Sequence, residues 1–579
     1  MKRILLLLAG IGLLSGCTAM APRGEEPVSL EPEMDLGGMP VEATAPEAAP
    51  PAELGSGLLY QLLVGEVSAQ RGELEMSAHA YQQAAAATRD PRLARRATQI
   101  AVYAQDYTTG LKAARLWVEL SPDSIEAQQS LAALLVRQGR ADEALAHLEK
   151  LLGLSRDGTA QGFMLVTNIL AREQDKRRAL QVMEALVAPR GDDGNAVFAY
   201  ANLAYLVEEY PLALQQIDRL LVVQPGMPRA LVLKANVMRK MGRDDDALAA
   251  YRTALDAQPK DSALRLGYAR MLVDMERLPA AREQFRVLGR QLPDNADVAY
   301  AEGLLAMQAG DLDQAEKYFK RLLKLGPRGD EAAYALGQIA ETRNRPAEAL
   351  QWYGQVTDGN NYLDAMVRSA VLIGRQQGLP AAREYLHNIE LQTSQQELRL
   401  RMVEAELLRD AGQREEAQQV YDDALLQFPD NIELLYARAM NAEGLGRLDL
   451  LERDLGAILK QDPDNVQALN ALGYTLADRT DRYQEAYDLV RRAYEQRPDD
   501  PAIIDSMGWA AFRLGRLAEA EKYLRQALDL HFDAEIAAHL GEVLWVAGRR
   551  DEARQVWQDA LKRNPDHALL KQVIERFKP

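Results

Sequence analysis

From about Leu58 to about residue 567, apolar and polar positions recur with the period of an α-helix. Within this stretch a small residue is repeatedly followed, four positions on, by a bulky one. Examples are Ala247 and Tyr251, Ala281 and Phe285, Ala315 and Phe319, Ala349 and Tyr353, Ala417 and Tyr421, and Ala553 and Trp557. Four residues make about one helical turn, so each pair lies on one helix face. The helix before it carries its own small residue, in Leu336-Gly337, Leu472-Gly473, Met507-Gly508 and Leu540-Gly541. Small residues there let two helices approach closely. Gly139, Gly242, Gly310, Gly412, Gly446, Gly515 and Gly548 stand between the two helices, where the backbone must leave the helical region. The pattern predicts helix, glycine turn and helix, over and over.

Prolines set the period. Pro225, Pro259, Pro293 and Pro327 are each 34 residues apart, and Pro429 and Pro463 fall on the same grid. Proline cannot continue a helix, so it closes each unit. A 34-residue period marks stacked helix–turn–helix units. The expected unit starts lie near 58, 91, 125, 160, 194, 228, 262, 296, 330, 364, 398, 432, 466, 501 and 534. These residues resemble the tetratricopeptide repeat. The resemblance implies an all-α, superhelical solenoid of about 15 helix pairs over residues 56–567, with residues 568–579 as a capping helix. Two stretches depart from the pattern. The unit near 160 lacks its proline and ends in Pro189-Arg190-Gly191-Asp192-Asp193-Gly194. The unit near 364 follows Thr357-Asp358-Gly359-Asn360-Asn361 and is read as having no glycine-bearing first helix. Local irregularity is expected at both.

The N-terminus changes the picture. Lys2 and Arg3 precede an apolar run from Ile4 to Leu14, too short for a permanent bilayer span. Leu14-Ser15-Gly16-Cys17 then resembles the bacterial lipobox, and Cys17 is the chain's one cysteine. The resemblance implies a signal peptide over 1–16 and lipidation at Cys17. Thr18, not Asp, follows it, which implies the outer membrane, with the protein facing the periplasm. Residues 17–55 are expected to form a disordered linker. From Thr18 to Gly55 they hold seven Pro, seven Ala and eight acidic residues against Arg23 alone. Such a tether spans roughly 35 Å as a flexible chain.

The net charge of −17 argues against a nucleic-acid partner, which needs Lys and Arg to neutralise phosphate. No catalytic constellation stands out. His79, His147, His387, His531, His539 and His567 show no metal-binding spacing and read as surface or capping residues. No phosphate loop or Gly-x-Ser-x-Gly elbow is present. No metal, cofactor or small-molecule substrate is expected, and a transferase fused to the repeats would need a non-repeat domain. The chain reads as a non-enzymatic protein whose work is done by surface.

In the resembled repeat family the first helix of each unit lines a groove. Its binding positions correspond to Asn470, Tyr474, Asp478, Asp505, Trp509, Phe512, Arg513, Glu542 and Trp545 in the last three units. Aromatic residues and Arg carry much of the energy of interfaces. Trp509 follows Gly508 and is expected to point away from its own hairpin core. Trp509 and Trp545 either line the groove or fill gaps between adjacent units. The groove lacks the Lys and Asn run with which chaperone-binding repeats clamp a terminal carboxylate.

One stretch is more specific. The segments from Ala468 to Arg479, from Asp500 to Trp509 and from Ala538 to Trp545, within a stretch from about residue 465 to 560, resemble the C-terminal part of a family of Gram-negative outer-membrane lipoproteins. The resemblance implies an adaptor that binds a periplasmic carboxyl-terminal processing protease and its cell-wall hydrolase substrates, promoting their degradation. The other expectation is a scaffold in an envelope secretion or exopolysaccharide-export assembly.

Overall fold

The computed structural model of the protein describes residues 55–155, 159–391 and 393–577. The expected signal peptide, the lipidation site Cys17 and the linker up to residue 54 lie outside the described residues. Among the described residues there are 31 α-helices and no strand. They divide into two units, one ending at Pro327 and one starting at Arg328. The first holds eight helix pairs, from Ser56–Gln70 with Leu74–Thr88 to Ala296–Gln308 with Leu312–Leu325. The second holds seven pairs, from Gly329–Thr342 with Pro346–Tyr353 to Ala534–Val546 with Arg550–Arg563, followed by Ala568–Arg576. Every first helix begins within about four residues of its expected start.

Punctuation explains why. Pro259, Pro293, Pro429 and Pro463 each sit two residues past a helix end. Two residues further on, Asp261, Asn295, Asn431 and Asn465 cap the next helix. Their side chains accept from the backbone N–H of Leu264, Val298, Leu434 and Ala468 at 2.9, 2.9, 2.9 and 3.0 Å. Each such cap contributes about 1 kcal/mol. The seven turn glycines all lie in the left-handed region, with φ from +70° to +84°. At Gly310 this lets its N–H reach the Met307 carbonyl at 3.0 Å and the Asp311 N–H reach the Ala306 carbonyl at 2.9 Å. The helix's last carbonyls are thereby satisfied.

The core is built from the small-and-bulky pairs. Ala247, Ala281, Ala315, Ala349, Ala417 and Ala553 are fully buried, and the bulky partners are nearly so. First-helix glycines receive the bulky side chains. A Cβ on Gly303 would lie 2.6 Å from Phe319, and one on Gly508 would lie 2.6 Å from Leu524. Gly337 meets Tyr353 and Gly541 meets Trp557 at still closer range.

Both irregular stretches are irregular in the fold. The helix Lys176–Val187 runs into a 3₁₀ turn at Ala188–Arg190, and Gly191 then takes φ +57°. Before and within the unit near 364, the second helices Pro346–Tyr353 and Leu379–His387 have only 8 and 9 residues. One expectation needs correction: the helix Tyr362–Gln377 does carry a glycine, Gly374, which faces Ala382.

Some turns lack glycine at the left-handed position. Glu208 and Glu276 stand there with φ +69° and +57°. A side chain in this region costs roughly 1 kcal/mol. Glu276→Gly is therefore expected to stabilise the protein by about 0.5–1 kcal/mol, and Gly310→Ala to destabilise it by about 1 kcal/mol. Urea unfolding followed by circular dichroism measures both. A Glu276→Gly midpoint at or below that of the unaltered protein would contradict the assignment.

Candidate functional site

The first helices Val466–Arg479, Pro501–Arg513 and Ala534–Val546 pack in succession in the second unit. Their facing side chains form a ladder. At its centre His539 and Asp505 are hydrogen-bonded, with Nδ1 3.0 Å from Oδ1 and 3.1 Å from Oδ2. Trp509 stacks on the imidazole with ring centroids 4.2 Å apart and planes at 25°. Tyr474 donates to Glu535 at 2.9 Å and lies 6.2 Å from the same imidazole. At the end of the array Trp545 stacks against Trp557 at 5.8 Å and packs against Phe577, with Arg550 and Arg554 over its ring.

The groove residues expected from the sequence divide in two. Asn470, Tyr474, Asp478, Phe512, Arg513 and Trp545 are half-buried and reach the surface. Asp505, Trp509 and Glu542 are 7%, 6% and 6% exposed, so they do not lie open on the groove. The reason is packing against the next repeat. Asp505 is occupied by His539, Glu542 by Arg576, and Trp509 fills the space between two first helices. Trp509 does turn from its own hairpin, where Gly508 meets Leu524, toward His539 of the following unit. Trp545 also fills a gap, since Trp557 and Phe577 cover it. Arg513 is held by the Asp478 carbonyl at 3.2 Å and the Tyr483 hydroxyl at 2.8 Å, 4.7 Å above that tyrosine ring.

His539 was expected at the surface or at a cap, and the structure corrects this. It is 3% exposed. Asp505 and His539 are 34 residues apart, so the repeat itself sets them opposite one another. That spacing was the available signal. His567 does cap a helix, accepting from the Leu570 N–H. His531 stands at the end of Leu517–Leu530, a different element from His539. Glu443, Glu535 and Arg576 also belong to the ladder's surroundings and carried no signal of their own. Two buried polar atoms of the ladder, Asn470 Oδ1 and Trp509 Nε1, have no hydrogen-bond partner among the described residues.

The electrostatics are acidic. Burial raises the Glu443 carboxyl, and nearby Asp478 and Glu535 add to this while Arg479 and Arg414 oppose it. Burial likewise raises Glu542, against the pull of Arg576 and His539. For His539, burial disfavours the charged ring, but Asp505, Glu535 and Glu542 outweigh it and hold the imidazole above its ordinary value. The arrangement is a stacked, charge-paired wall carrying a row of half-exposed polar and aromatic side chains. Among the described residues no three His, Cys, Asp or Glu side chains group as metal ligands, and no helix is long and apolar enough to cross a membrane.

A raised histidine contributes stability that is full below its unfolded value near 6.5 and is lost as pH rises through the folded value. The C-terminal array is therefore expected to melt at lower temperature as pH rises above about 6.5. His539→Gln should flatten that part of the profile. Equal slopes for the two proteins would remove the charged pair from the account. Asp505→Ala, which strands a buried imidazolium, is expected to cost about 3 kcal/mol in the same melts.

Comparison with known proteins places this array. Signatures described as tetratricopeptide repeat match residues 300–360, 436–501 and 506–568, and a further one matches 238–305. The chain is 36% identical over 546 residues to TPR repeat-containing protein PA4667 of Pseudomonas aeruginosa, covering 94% of this chain and 90% of that protein. It is 26% identical over 508 residues to cellulose synthase operon protein C of Xanthomonas axonopodis, covering 78% of this chain and 32% of that protein. A solved structure of the APC/C hetero-tetramer Cut9–Hcn1 aligns over 90% of this chain and 96% of its own, at 16% identity and a TM-score of 0.31. With its repeat signatures, its paired helices and a relative matched nearly end to end, the chain belongs to the tetratricopeptide-repeat family.

Proposed function

We propose that the protein is a non-enzymatic adaptor of the outer membrane, resembling the lipoprotein LbcA of pseudomonads. It binds a periplasmic carboxyl-terminal processing protease together with the cell-wall hydrolases that the protease degrades. The observation that carries this reading is the row formed by Asn470, Tyr474, Asp478, Phe512, Arg513 and Trp545. These half-buried side chains stand on successive first helices, within the segment that resembles the adaptor lipoproteins. Repeats of this family serve protein–protein contact, and a stack of helix pairs offers long surfaces for it. The lipobox ending in Cys17 supports a lipid anchor in the outer membrane, with the repeats facing the periplasm.

The physical advantage is local concentration. A scaffold that holds protease and substrate at once turns a dilute encounter into an intramolecular one, with gains of about 10²–10⁴ when the geometry permits. A second reading, a scaffold in an exopolysaccharide-export assembly, is favoured by the similarity to a cellulose synthase operon protein over 78% of this chain. It predicts partners from polymer synthesis and an outer-membrane barrel in place of a protease.

Affinity capture from periplasmic extract separates the two readings. The adaptor reading expects a processing protease and hydrolases among the captured proteins. Recovery of export components with no protease would favour the second. Asn470→Ala with Phe512→Ala is expected to weaken protease capture by about 1–2 kcal/mol, roughly tenfold, with the helical circular-dichroism signal retained. Undiminished capture by this double variant would exclude the row as the contact surface.

A further inference from the structure

A surface in the first unit departs from the chain's acidic character. The net charge is −17. Yet the second helices Leu278–Gln291 and Leu312–Leu325 of neighbouring pairs flank a cleft of about 640 Å³ that carries six cations. These are Arg286, Arg290, Lys317, Lys320, Arg321 and Lys324. Helical register assembles them. Four fall at i, i+3, i+4 and i+7 on Leu312–Leu325, one stripe about 10 Å long. Arg286 and Arg290 are one turn apart on the neighbouring helix.

Not all of this charge is free. Arg321 donates to Glu302 at 2.6 Å and lies over the Tyr318 ring. Glu302 comes from the first helix Ala296–Gln308, and only 5% of it is exposed to solvent. Gly289 makes room for it, since a side chain there would strike the carboxylate. Arg286 pairs with Glu283, and Lys320 with Glu316, each within its own helix. Exposed pairs of that kind hold little energy. Arg290, Lys317 and Lys324 are exposed and have no carboxylate partner among the described residues. Unpaired like charges around one concave surface repel each other, and a bound anionic group relieves that repulsion.

We infer that this cleft is a docking site for an acidic stretch of a partner protein, with its carboxylates clustered within about 10 Å. Charge complementarity sets the sign of the ligand. The carboxylates already in the cleft decide its form. Asp313 and Glu316 share the wall with the lysines, and Glu302 lies between them and the core. A flat sheet of anionic headgroups would press on Asp313 and Glu316 as well as on the cations. A polypeptide places its charges at discrete points and avoids them. The cleft belongs to second helices of the first unit, whereas the ladder belongs to first helices of the second unit. The inference stands whether or not the ladder binds a protease.

The test is fluorescence anisotropy of a short labelled glutamate-rich peptide with the purified protein, beside its glutamine counterpart. The glutamate peptide is expected to bind at low salt and to be released at high salt, and the glutamine peptide is not expected to bind. The triple change Arg290→Glu, Lys317→Glu and Lys324→Glu is expected to weaken binding at least about tenfold. Lys522→Glu, an exposed cation of the second unit, is expected to leave it unchanged. If the triple variant melts early, Lys317→Gln with Lys324→Gln serves instead, with a smaller loss expected. The inference fails if the unaltered protein ignores the glutamate peptide, if the triple variant or its glutamine substitute binds as well as the unaltered protein, or if Lys522→Glu weakens binding as much. It also fails if phosphatidylglycerol vesicles, and not the peptide, bind in a way that depends on these three residues.

Discussion

The close contact of a small residue with a large one, within each helix pair, is the constraint on which the structure depends. Gly303 against Phe319, Gly337 against Tyr353, Gly508 against Leu524 and Gly541 against Trp557 repeat the same solution. The second helix supplies bulk and the first supplies the space for it. A methyl group at the glycine would push the helices apart or force the ring aside, and overpacking of this kind typically costs about 1–3 kcal/mol. Because the contact is local, each pair builds its own piece of core and adds to its neighbours roughly additively. No large central core is needed, and no disulfide: the single cysteine, Cys17, lies outside the described residues.

That economy leaves the sides of the first helices for other work. In the last three pairs part of that surface is spent on stacking one repeat upon the next. The Asp505–His539 pair, covered by Trp509, ties two first helices together inside a low-dielectric setting. A similar device holds the preceding repeat, where Arg438 makes two hydrogen bonds of 2.7 Å to the buried Asp454. Buried pairs of this kind fix register more reliably than they add stability, because desolvation offsets much of the attraction. What remains at the surface is the half-exposed row. Its own Asp478 and the neighbouring Glu443 and Glu535 give it an acidic setting, in contrast to the cationic cleft between Leu278–Gln291 and Leu312–Leu325.

Much of the fold was legible in the sequence because its determinants are local. A proline two residues past a helix, a capping Asn or Asp, and a glycine at positive φ each act within a few residues. The helix boundaries follow from them. Burial of the first-helix side chains was less legible. Periodicity identifies the face on which Trp509 and Asp505 lie, but burial depends on the side chain one repeat away. His539 shows the same limit. Judged by its neighbours in the chain it reads as an ordinary histidine, and only the 34-residue register sets it against Asp505. The short helices Pro346–Tyr353 and Leu379–His387 were foreshadowed by Thr357-Asp358-Gly359-Asn360-Asn361, but their lengths were not. Arg576, which pairs with Glu542, lies in the capping helix beyond the 34-residue register, so the repeat spacing does not set the two opposite one another.

On the proposed reading, the first-helix row of the C-terminal repeats is a recognition surface for a protein partner. Hydrogen–deuterium exchange of the purified protein, with and without the periplasmic processing protease, tests it most directly. The account predicts slowed exchange in Val466–Arg479, Pro501–Arg513 and Ala534–Val546 when the protease is present, with the paired second helices little changed. Exchange that is unaltered in all three helices while the protease is demonstrably bound would contradict it.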